Sequence, residues 1–283
     1  MTFSQEGNIV KVVNLGLYRF MIENYLTGLG FLGKHLVKKL GKVTSIPHDK
    51  IATAKLEPFT NFFYLSTYGN LIEHDDGRES TAKVVKANVL DLCHILDEAI
   101  QYKFKSFVFI STSSVKLQVQ TTYSRTKKAA EEILLAYREK YRLPILIIRP
   151  YTIIGVGEPK QHLIPTLIRS CITGEKMNFV KEPRHDYIDV EDVVDGILNL
   201  SEHSNGGIYE LGSGKSVSNQ EVLELVEKVT GKKANITIVP NMRSYDTQQW
   251  VSTNFRARSF GWLPTKSLQV SIEEMVKEYE KQR

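Results

Sequence analysis

The stretch from Glu23 to Leu40 reads Glu-Asn-Tyr-Leu-Thr-Gly-Leu-Gly-Phe-Leu-Gly-Lys-His-Leu-Val-Lys-Lys-Leu, and it determines the fold that we expect. Its beginning, residues 23–27, is a short strand candidate, whereas leucines at 32, 36 and 40 recur at helical spacing in its second half. Between them lies the pattern G-x-G-x-x-G, with glycines at 28, 30 and 33. The pattern is in its required context, because it follows a strand and opens a helix.

This strand–turn–helix unit predicts a binding site for a dinucleotide. Gly28 allows the tight turn, Gly30 lets a pyrophosphate approach the backbone, and Gly33 lets the helix pack closely on the strand. The start of the helix, at Phe31 and Leu32, offers unpaired N–H groups and the positive end of the helix dipole to phosphates. The motif alone leaves an ordinary glycine-rich turn open as the alternative.

An acidic residue that binds the cofactor ribose is expected about 20 residues after the first glycine. Asp49 lies near that position, just past the strand candidate Val43–Ile46. Pro47 and His48 intervene, so a solvated loop residue is an equal alternative. No arginine follows directly to hold a 2′-phosphate, although Lys50 is available for that role. The sequence therefore favours NAD over NADP.

A second pattern places Lys127 four residues after Tyr123, at the start of a helix that is expected to run to Tyr141. Residues at i and i+4 share one face of a helix, so the phenol and the ammonium are expected to lie together. A neighbouring cation favours the phenolate and lowers the tyrosine pKa from its usual value near ~10. Such a pair can transfer a proton at an alcohol or a ketone. Taken alone, the spacing is common on surface helices.

Composition and charge narrow the class of protein. The chain has 283 residues, 42% apolar and 24% charged, which suits one large α/β domain or two closely associated ones. The net charge of +5 includes no block of like charges, so no nucleic-acid partner is predicted. No run reaches the ~18 apolar residues of a membrane span, and no signal peptide is recognised. Only Cys93 and Cys171 occur, which favours a cytoplasmic protein without disulfides, and no His/Cys cluster predicts a metal.

Strand and helix patterns alternate through the first half of the chain, which predicts a parallel sheet with helices on both faces. Continuous apolar strands are expected at 62–66, 106–111 and 145–148. Helices are expected at 88–102 and 123–141. The predicted fold class is α/β, with a Rossmann-like doubly wound parallel sheet and a smaller C-terminal α/β substrate-binding region.

The domain boundaries that we expect follow from this pattern. A dinucleotide-binding domain spans residues 1–163, and the substrate-binding region spans 164–283 and is partly interleaved with it. A capping box at Ser218–Glu221 opens a helix in the second region. Residues 1–20 form either an extra strand, at Ile9–Val13, or a loosely docked extension.

Further motifs accompany the glycine turn and the Tyr123 helix in a fixed order. They are F-Y-L-S-T at 63–67, K-A-N-V at 86–89, F-I-S-T-S-S-V at 109–115, I-R-P-Y at 148–151, R-H-D-Y-I-D-V-E-D-V at 184–193, I-Y-E-L-G-S-G at 208–214 and F-G-W-L-P at 260–264. In this order, from Leu26 to the C-terminus, the sequence resembles the extended short-chain dehydrogenase/reductases, specifically their nucleotide-sugar epimerase/dehydratase group.

The resemblance implies an NAD-dependent enzyme that acts on a nucleotide-diphosphate sugar. Tyr123 is then the general base, Lys127 binds the nicotinamide ribose and lowers the tyrosine pKa, and Thr112 hydrogen-bonds the reacting sugar oxygen. Two arginines, Arg184 and Arg243, clamp the substrate diphosphate with their guanidinium forks. A further substrate contact is implied for Ser113, and cofactor contacts for Gly28, Gly30, Phe31, Leu32, Gly33, Asp49, Leu65, Ser66, Thr67, Asn88, Tyr123, Lys127 and Pro150. The resemblance also implies a homodimer through the helices near 88–102 and 123–141, although their apolar stripes equally fit packing on the sheet.

The chain departs from the family pattern at several places. Residues 112–114 read Thr-Ser-Ser and lack the acid pair with which 4,6-dehydratases eliminate water, so that reaction is disfavoured. In the family a tyrosine and then a glycine usually follow the valine, whereas here Lys116 follows Val115. The interval 115–123 is also short, so the substrate-side loop common in the family is missing. The interval 49–62 is too short for a third strand and its helix, and residues 151–154 lack the usual asparagine.

Three functions remain open at this point. The leading hypothesis is an epimerase, in which Tyr123 removes the proton of the sugar 4-hydroxyl while the nicotinamide accepts hydride from C4 and later returns it to the other face. A 4-keto nucleotide-sugar reductase or dehydratase would use the same residues. The third hypothesis is a non-catalytic dinucleotide-sensing protein on the same fold, since fold alone does not determine function.

Overall fold

Six parallel strands form the central sheet of the computed structural model, which describes residues 22–69, 81–240 and 250–282. These strands are β1 (Ile22–Thr27), β2 (Thr44–Ile46), β3 (Phe59–Tyr64), β4 (Ser106–Ile110), β5 (Ile145–Pro150) and β10 (Gly207–Leu211). Their order across the sheet is β2-β1-β3-β4-β5-β10, and every neighbouring pair is parallel. The predicted α/β fold with a parallel sheet is confirmed.

Helices connect and cover these strands. They are α1 (Phe31–Leu40), α2 (Thr81–Val85), α3 (Asp91–Ala99), α4 (Thr122–Tyr141), α5 (Leu163–Thr173), α6 (Val190–His203), α7 (Asn219–Thr230), α8 (Phe255–Arg258) and α9 (Leu268–Lys281). None of the helices in the described residues is both long and apolar enough to cross a membrane.

The sheet is buried on both faces, which explains why its strands read as continuous apolar runs. On one face, side chains of α3 and α4, such as Leu96 and Leu134, pack against Phe62 and Phe107 of the strands. On the other face, α1 and α6 supply Leu36, Ile197 and other buried side chains. This two-sided burial makes the sheet a rigid base for residues at its carboxyl edge.

The strand order reverses between β1 and β3. From β1 the chain moves outward to β2, and it then crosses back to β3 on the opposite side of β1. Ligands of doubly wound sheets bind at such a reversal, outside the carboxyl ends of the strands. A six-residue 3₁₀ helix, His48–Thr53, is the helical segment between β2 and β3, as expected from the short interval after Asp49.

Two predicted elements differ from the structure. The helix that we expected from Asn88 begins earlier, at Thr81, and Asn88 lies inside a π-helical turn, Lys86–Leu90, between α2 and α3. The strand expected at 62–66 is β3, which starts at Phe59 and ends before Leu65. The predicted extra strand at Ile9–Val13 lies outside the described residues.

Most of the described chain beyond β5, apart from α6, α8 and β10, forms a second cluster of helices and short strands. Three two-stranded sheets occur there: β6 (Thr152–Ile154) with β9 (Tyr187–Asp189), β7 (Met177–Phe179) with β12 (Ile236–Ile238), and β8 (Arg184–His185) with β11 (Val217–Ser218). Its core is built from α5, α7 and α9, with Ile168, Val222 and Ile272 fully or almost fully buried. The predicted capping box is confirmed, because Ser218 and Glu221 exchange hydrogen bonds at the start of α7.

Asp186 joins three segments of this region near the carboxyl edge of the main sheet. Its buried carboxylate accepts hydrogen bonds from the backbone N–H and the hydroxyl of Ser213 at 2.6 and 2.7 Å. It also accepts from Gly214 N at 3.0 Å and from Ser252 N and Oγ at 2.9 and 2.7 Å. The residues after β10 are therefore held against the strand pair β6–β9.

We expect Asp186→Asn to lower the free energy of unfolding by about 3 kcal/mol, because one acceptor oxygen is replaced by an amide that faces other donors. Urea denaturation checks this value. The control is Asp195→Asn, whose carboxylate is 54% exposed and pairs with Lys39. It should cost less than about 1 kcal/mol. Equal losses in the two variants would contradict the role of Asp186.

Candidate active site

The predicted glycine turn lies between the end of β1 and the start of α1. Gly28 has a φ of +86°, and a Cβ at this residue would lie 2.7 Å from Leu65 C and Ser66 N. A Cβ at Gly33 would lie 2.1 Å from Gly28 O, so the helix packs directly on the turn. A Cβ at Gly30 would meet no atom within 4 Å. The backbone therefore leaves open space at the N-terminus of α1, where a pyrophosphate would fit.

The segment after β3 lies beside this turn. Thr27 Oγ1 accepts hydrogen bonds from Leu65 N and Ser66 N, both at 3.2 Å, so the ends of β1 and β3 are joined. Ser66 is buried, and its hydroxyl has no hydrogen-bond partner among the described residues. A bound cofactor would supply a hydrogen-bond partner for this buried hydroxyl beside the glycine turn.

Asn88 connects three segments through its side-chain amide. Its Oδ1 accepts from Thr67 Oγ1 at 3.1 Å and from Tyr68 N at 2.8 Å. Its Nδ2 donates to Tyr68 O and to Thr126 Oγ1, both at 3.1 Å. The π turn that carries it is of a kind frequent at functional sites. Asn88 therefore holds the segment after β3 against the helix of Tyr123.

Tyr123 lies at the first turn of α4, and its hydroxyl is hydrogen-bonded to the side chains of Thr67 and Thr112. These two threonines follow β3 and β4, so the phenol lies at the carboxyl edge of the sheet. Burial raises the pKa of Tyr123 to about 12, and the two hydrogen bonds oppose this increase only in part. The lowered tyrosine pKa expected from the sequence is thus wrong for this structure, because exclusion of solvent outweighs the stabilisation of the phenolate.

Thr112 belongs to a chain of hydroxyl groups. It caps the 3₁₀ turn Ser113–Lys116, accepting from Ser114 N at 3.2 Å and donating to Ser114 Oγ at 3.0 Å. Ser124 Oγ donates to Ser114 Oγ at 2.8 Å, which ties this turn to α4. Ser113, a predicted substrate contact, is 2% exposed. The position of Thr112 beside Tyr123 is therefore determined by several hydrogen bonds.

Lys127 lies one turn after Tyr123 and is 1% exposed. Its Nζ donates to Ile110 O at 2.6 Å and lies 4.2 Å from the centroid of the Phe109 ring. Burial lowers the pKa of Lys127 to about 7, and the nearby carboxylate of Glu131 partly opposes this decrease. The lysine is thus directed at the end of β4.

Three further residues of this region were not identified from the sequence. Glu131 accepts hydrogen bonds from Ser111 Oγ, from Arg149 Nε at 2.9 Å and from Arg149 Nη2. The available signal was the spacing of Glu131, four residues after Lys127, which places both on one face of α4. Ser111 and Arg149 lie within two of the quoted motifs, where we assigned them no role.

Other predicted cofactor residues lie around the same edge. Phe31 and Leu32 are the first residues of α1, and Pro150 ends β5. Asp49 lies in the 3₁₀ helix after β2, with its carboxylate 74% exposed and 3.6 Å from Lys50 Nζ. Contacts of these residues with a cofactor stay predictions.

The predicted substrate arginines differ in position. Arg184 Nη2 donates to Ser216 O at 2.8 Å and lies 3.0 Å from Glu221 Oε2, so it is held within the β8–β11 pair. Arg243 lies outside the described residues.

Lys116, at the start of the shortened interval, lies 2.5 Å from Glu210 Oε1 and 3.3 Å from the hydroxyl of Tyr151. An ion pair therefore lies in the short interval that, as the sequence indicates, omits the substrate-side loop common in the family. Within residues 22–69, 81–240 and 250–282, no group of three His, Cys, Asp or Glu side chains could hold a metal ion.

Comparisons with known proteins agree with this geometry. The model of the NAD dependent epimerase/dehydratase family matches residues 68–212. The low-salt glycan biosynthesis protein Agl12 of Haloferax volcanii is 29% identical over 212 residues, which cover 69% of this chain and 68% of that protein. UDP-glucose 4-epimerase of Halalkalibacterium halodurans is 28% identical over 66% of this chain and 66% of its own length. The chain thus spans about two thirds of the length of these relatives.

The fold also has solved counterparts. A mutant of UDP-glucuronic acid 4-epimerase from Bacillus cereus, solved with NAD, superposes with a TM-score of 0.85. The two chains are 18% identical, and the match covers 93% of this chain and 100% of that one. At this identity the likeness establishes the fold, a Rossmann-type parallel sheet with helices on both faces.

We expect Gly30→Ala to fold normally and to bind NAD more than about tenfold more weakly, or by ~1.4 kcal/mol, because the methyl group would occupy the open space at the turn. Isothermal titration with NAD measures the affinity. Gly33→Ala is the comparison, since its methyl group would collide with Gly28 O and should destabilise the fold itself. Unchanged NAD affinity in Gly30→Ala would place the cofactor elsewhere.

Proposed function

Because the chain belongs to the NAD-dependent epimerase/dehydratase family, whose members are enzymes, we propose that it is a nucleotide-sugar 4-epimerase. The observation that carries this proposal is the position of Tyr123, whose phenol is bonded to Thr67 and Thr112 at the carboxyl edge of the sheet. The glycine turn and the strand reversal lie at that same edge. Gly28, Gly30, Gly33 and the buried hydroxyl of Ser66 would hold NAD, which supplies a hydride acceptor when bound.

The protein residues bind, orient and move the proton. Tyr123 Oη takes the proton of the sugar 4-hydroxyl, and Thr112 hydrogen-bonds the same sugar oxygen. The ammonium of Lys127, one helical turn away, would stabilise the phenolate form of Tyr123. Return of the proton to the sugar oxygen, together with return of hydride to C4 from the bound cofactor after the sugar has turned over, would complete an epimerisation without net oxidation.

A 4,6-dehydratase is disfavoured by the residues after Thr112. Elimination of water needs an acid and a base on the sugar carbons, and hydroxyl groups of ordinary pKa do not fill those roles. Ser113 and Ser114 are both buried, and Ser114 is already bonded to Thr112 and Ser124. The chain therefore has no carboxyl group at the positions that this reaction would use.

A 4-keto-sugar reductase is the second candidate, because it would use the same tyrosine, lysine and threonine. The two functions differ in their treatment of the cofactor: an epimerase restores its NAD in each cycle, whereas a reductase must exchange it.

We also infer a cytoplasmic homodimer formed through α3 and α4. Analytical ultracentrifugation tests that assembly.

The function is tested by analysing the small molecules released from the purified, denatured protein. Recovery of NAD at near-equal stoichiometry, together with interconversion of C4 epimers of a UDP-, GDP- or dTDP-sugar followed by proton NMR, would support the epimerase. A protein that lacks cofactor and oxidises added NADPH in the presence of a 4-keto sugar would support the reductase instead.

We expect Tyr123→Phe to reduce turnover by about 10²–10⁴-fold while NAD binding is retained, because only the proton-transfer group is removed. Turnover and cofactor content are measured on the same preparation. Tyr137→Phe, on the same helix, is the matched control; its hydroxyl bonds Asp97, and turnover should be unchanged. Full turnover in Tyr123→Phe would exclude this residue as the base.

A further inference from the structure

A buried ion pair lies directly behind the proposed catalytic lysine. The carboxylate of Glu131 is 1% exposed and accepts two hydrogen bonds from the guanidinium of Arg149 on β5. It also accepts from the hydroxyl of Ser111, the residue that precedes Thr112. The side chains of Glu131, Arg149 and Ser111 thus lie together between α4 and the ends of β4 and β5. Such a pair is a weak source of stability, because two charges have been removed from water.

Lys127 shares a face of α4 with this carboxylate. Its ammonium lies among protein atoms, with Ile110 O at 2.6 Å and the Phe109 ring at 4.2 Å. A carbonyl dipole and a ring face stabilise a cation less than water does, so burial there favours the neutral amine. Glu131 is the charged group that favours the ammonium in this environment.

Charged groups on the surrounding elements are engaged with other partners. Arg149 of β5 bonds Glu131, Asp97 of α3 accepts from Tyr137, Asp91 of α3 pairs with Lys86 of the π turn, and Lys116 of the 3₁₀ turn pairs with Glu210. Arg149 carries a positive charge that would act against the ammonium if Glu131 did not neutralise it. Within the part of the chain that the structure describes, Glu131 is therefore the carboxylate that acts on Lys127.

We propose that Glu131 is a positioning residue that favours the ammonium form of the buried Lys127 side chain, one helical turn from Tyr123. Its own orientation is set by Arg149 and Ser111, and it acts on the reaction only through the lysine. The consequence for the reaction rests on the proposed function; the effect on Lys127 itself does not.

The sign of the effect follows from the geometry. Without the Glu131 carboxylate, the pKa of Lys127 decreases further from its present value of about 7. The fraction of Lys127 in the ammonium form at pH 7 then decreases, and with it the positive charge available to a phenolate at Tyr123. Turnover at neutral pH therefore decreases, and the alkaline limb of the pH–rate profile moves to lower pH.

The test is a pH titration of Lys127 by carbon NMR in protein labelled at the lysine ε-carbons, with the signal assigned from Lys127→Met. We expect Glu131→Gln to move the Lys127 titration midpoint down by about one to three pH units. Glu132→Gln, an exposed carboxylate on the next position of the same helix, is the control and should leave the midpoint unchanged. A midpoint in Glu131→Gln equal to that of the wild type overturns the proposal.

A second variant separates the loss of Glu131 from the exposure of Arg149, and protects against misfolding. In Glu131→Met/Arg149→Met the pair is replaced by apolar side chains of similar volume, a change that buried pairs often tolerate. The Lys127 midpoint should also decrease in this variant. A decrease confined to Glu131→Gln would assign the effect to the uncompensated arginine and overturn the proposal.

Activity measurements distinguish failure of this inference from failure of the proposed function. The titration needs no substrate, so a shifted Lys127 midpoint in a protein without epimerase activity would sustain the electrostatic role and reject the function. With an active wild type, the pH–rate profile of Glu131→Gln should lose its alkaline limb at lower pH, with kcat affected more than KM. An unchanged profile would show that the charge of Lys127 has no part in turnover.

Discussion

A polar group buried at the carboxyl edge of the sheet must find a hydrogen-bond partner, and this requirement determines most of the candidate site. The amide of Asn88 satisfies four such groups and thereby fixes the segment of Thr67 against α4. Thr112 is fixed in turn by the backbone and hydroxyl of Ser114. Both threonines are therefore held by contacts that do not involve Tyr123, and together they fix the position of its hydroxyl.

Burial acts in opposite directions on the two groups that share the face of α4. It raises the pKa of Tyr123 to about 12 and lowers that of Lys127 to about 7, since in each case water no longer stabilises the charged form. Neighbouring groups partly oppose the effect of burial on each pKa: hydroxyls at the tyrosine, and the carboxylate of Glu131 at the lysine. The proton affinities in the site are thus a property of the packing around α4 rather than of the Tyr-x-x-x-Lys spacing.

The strand–turn–helix unit at Gly28 and the long helix of Tyr123 were predictable, because periodicity and the requirements of a tight turn are local properties of the sequence. The predicted start of the helix at Asn88 was wrong. A π turn there adds one residue to the helix, and the apolar periodicity of the sequence does not reveal that insertion. The pair of Glu131 and Arg149 could not be predicted, because these residues meet only when β5 lies beside α4. The prediction of a lowered pKa for Tyr123 was wrong for a similar reason, because the segments that exclude solvent from it are distant along the chain. The short interval after Asp49, by contrast, was enough to predict that no additional strand and helix precede β3, where the structure has a 3₁₀ helix, His48–Thr53.

The buried lysine has a thermodynamic consequence for the whole molecule. In the unfolded chain its pKa is near the ordinary value of 10.5, whereas in the folded protein it is about 7. Between these pH values the unfolded state holds the proton more tightly, so folding releases it, and this contribution to stability rises with pH through that window. Below about pH 7 the folded protein carries the full penalty of an enclosed cation. The side chain to which we assign a role in proton transfer is therefore one that opposes folding under mildly acidic conditions, and the rest of the core has to offset it.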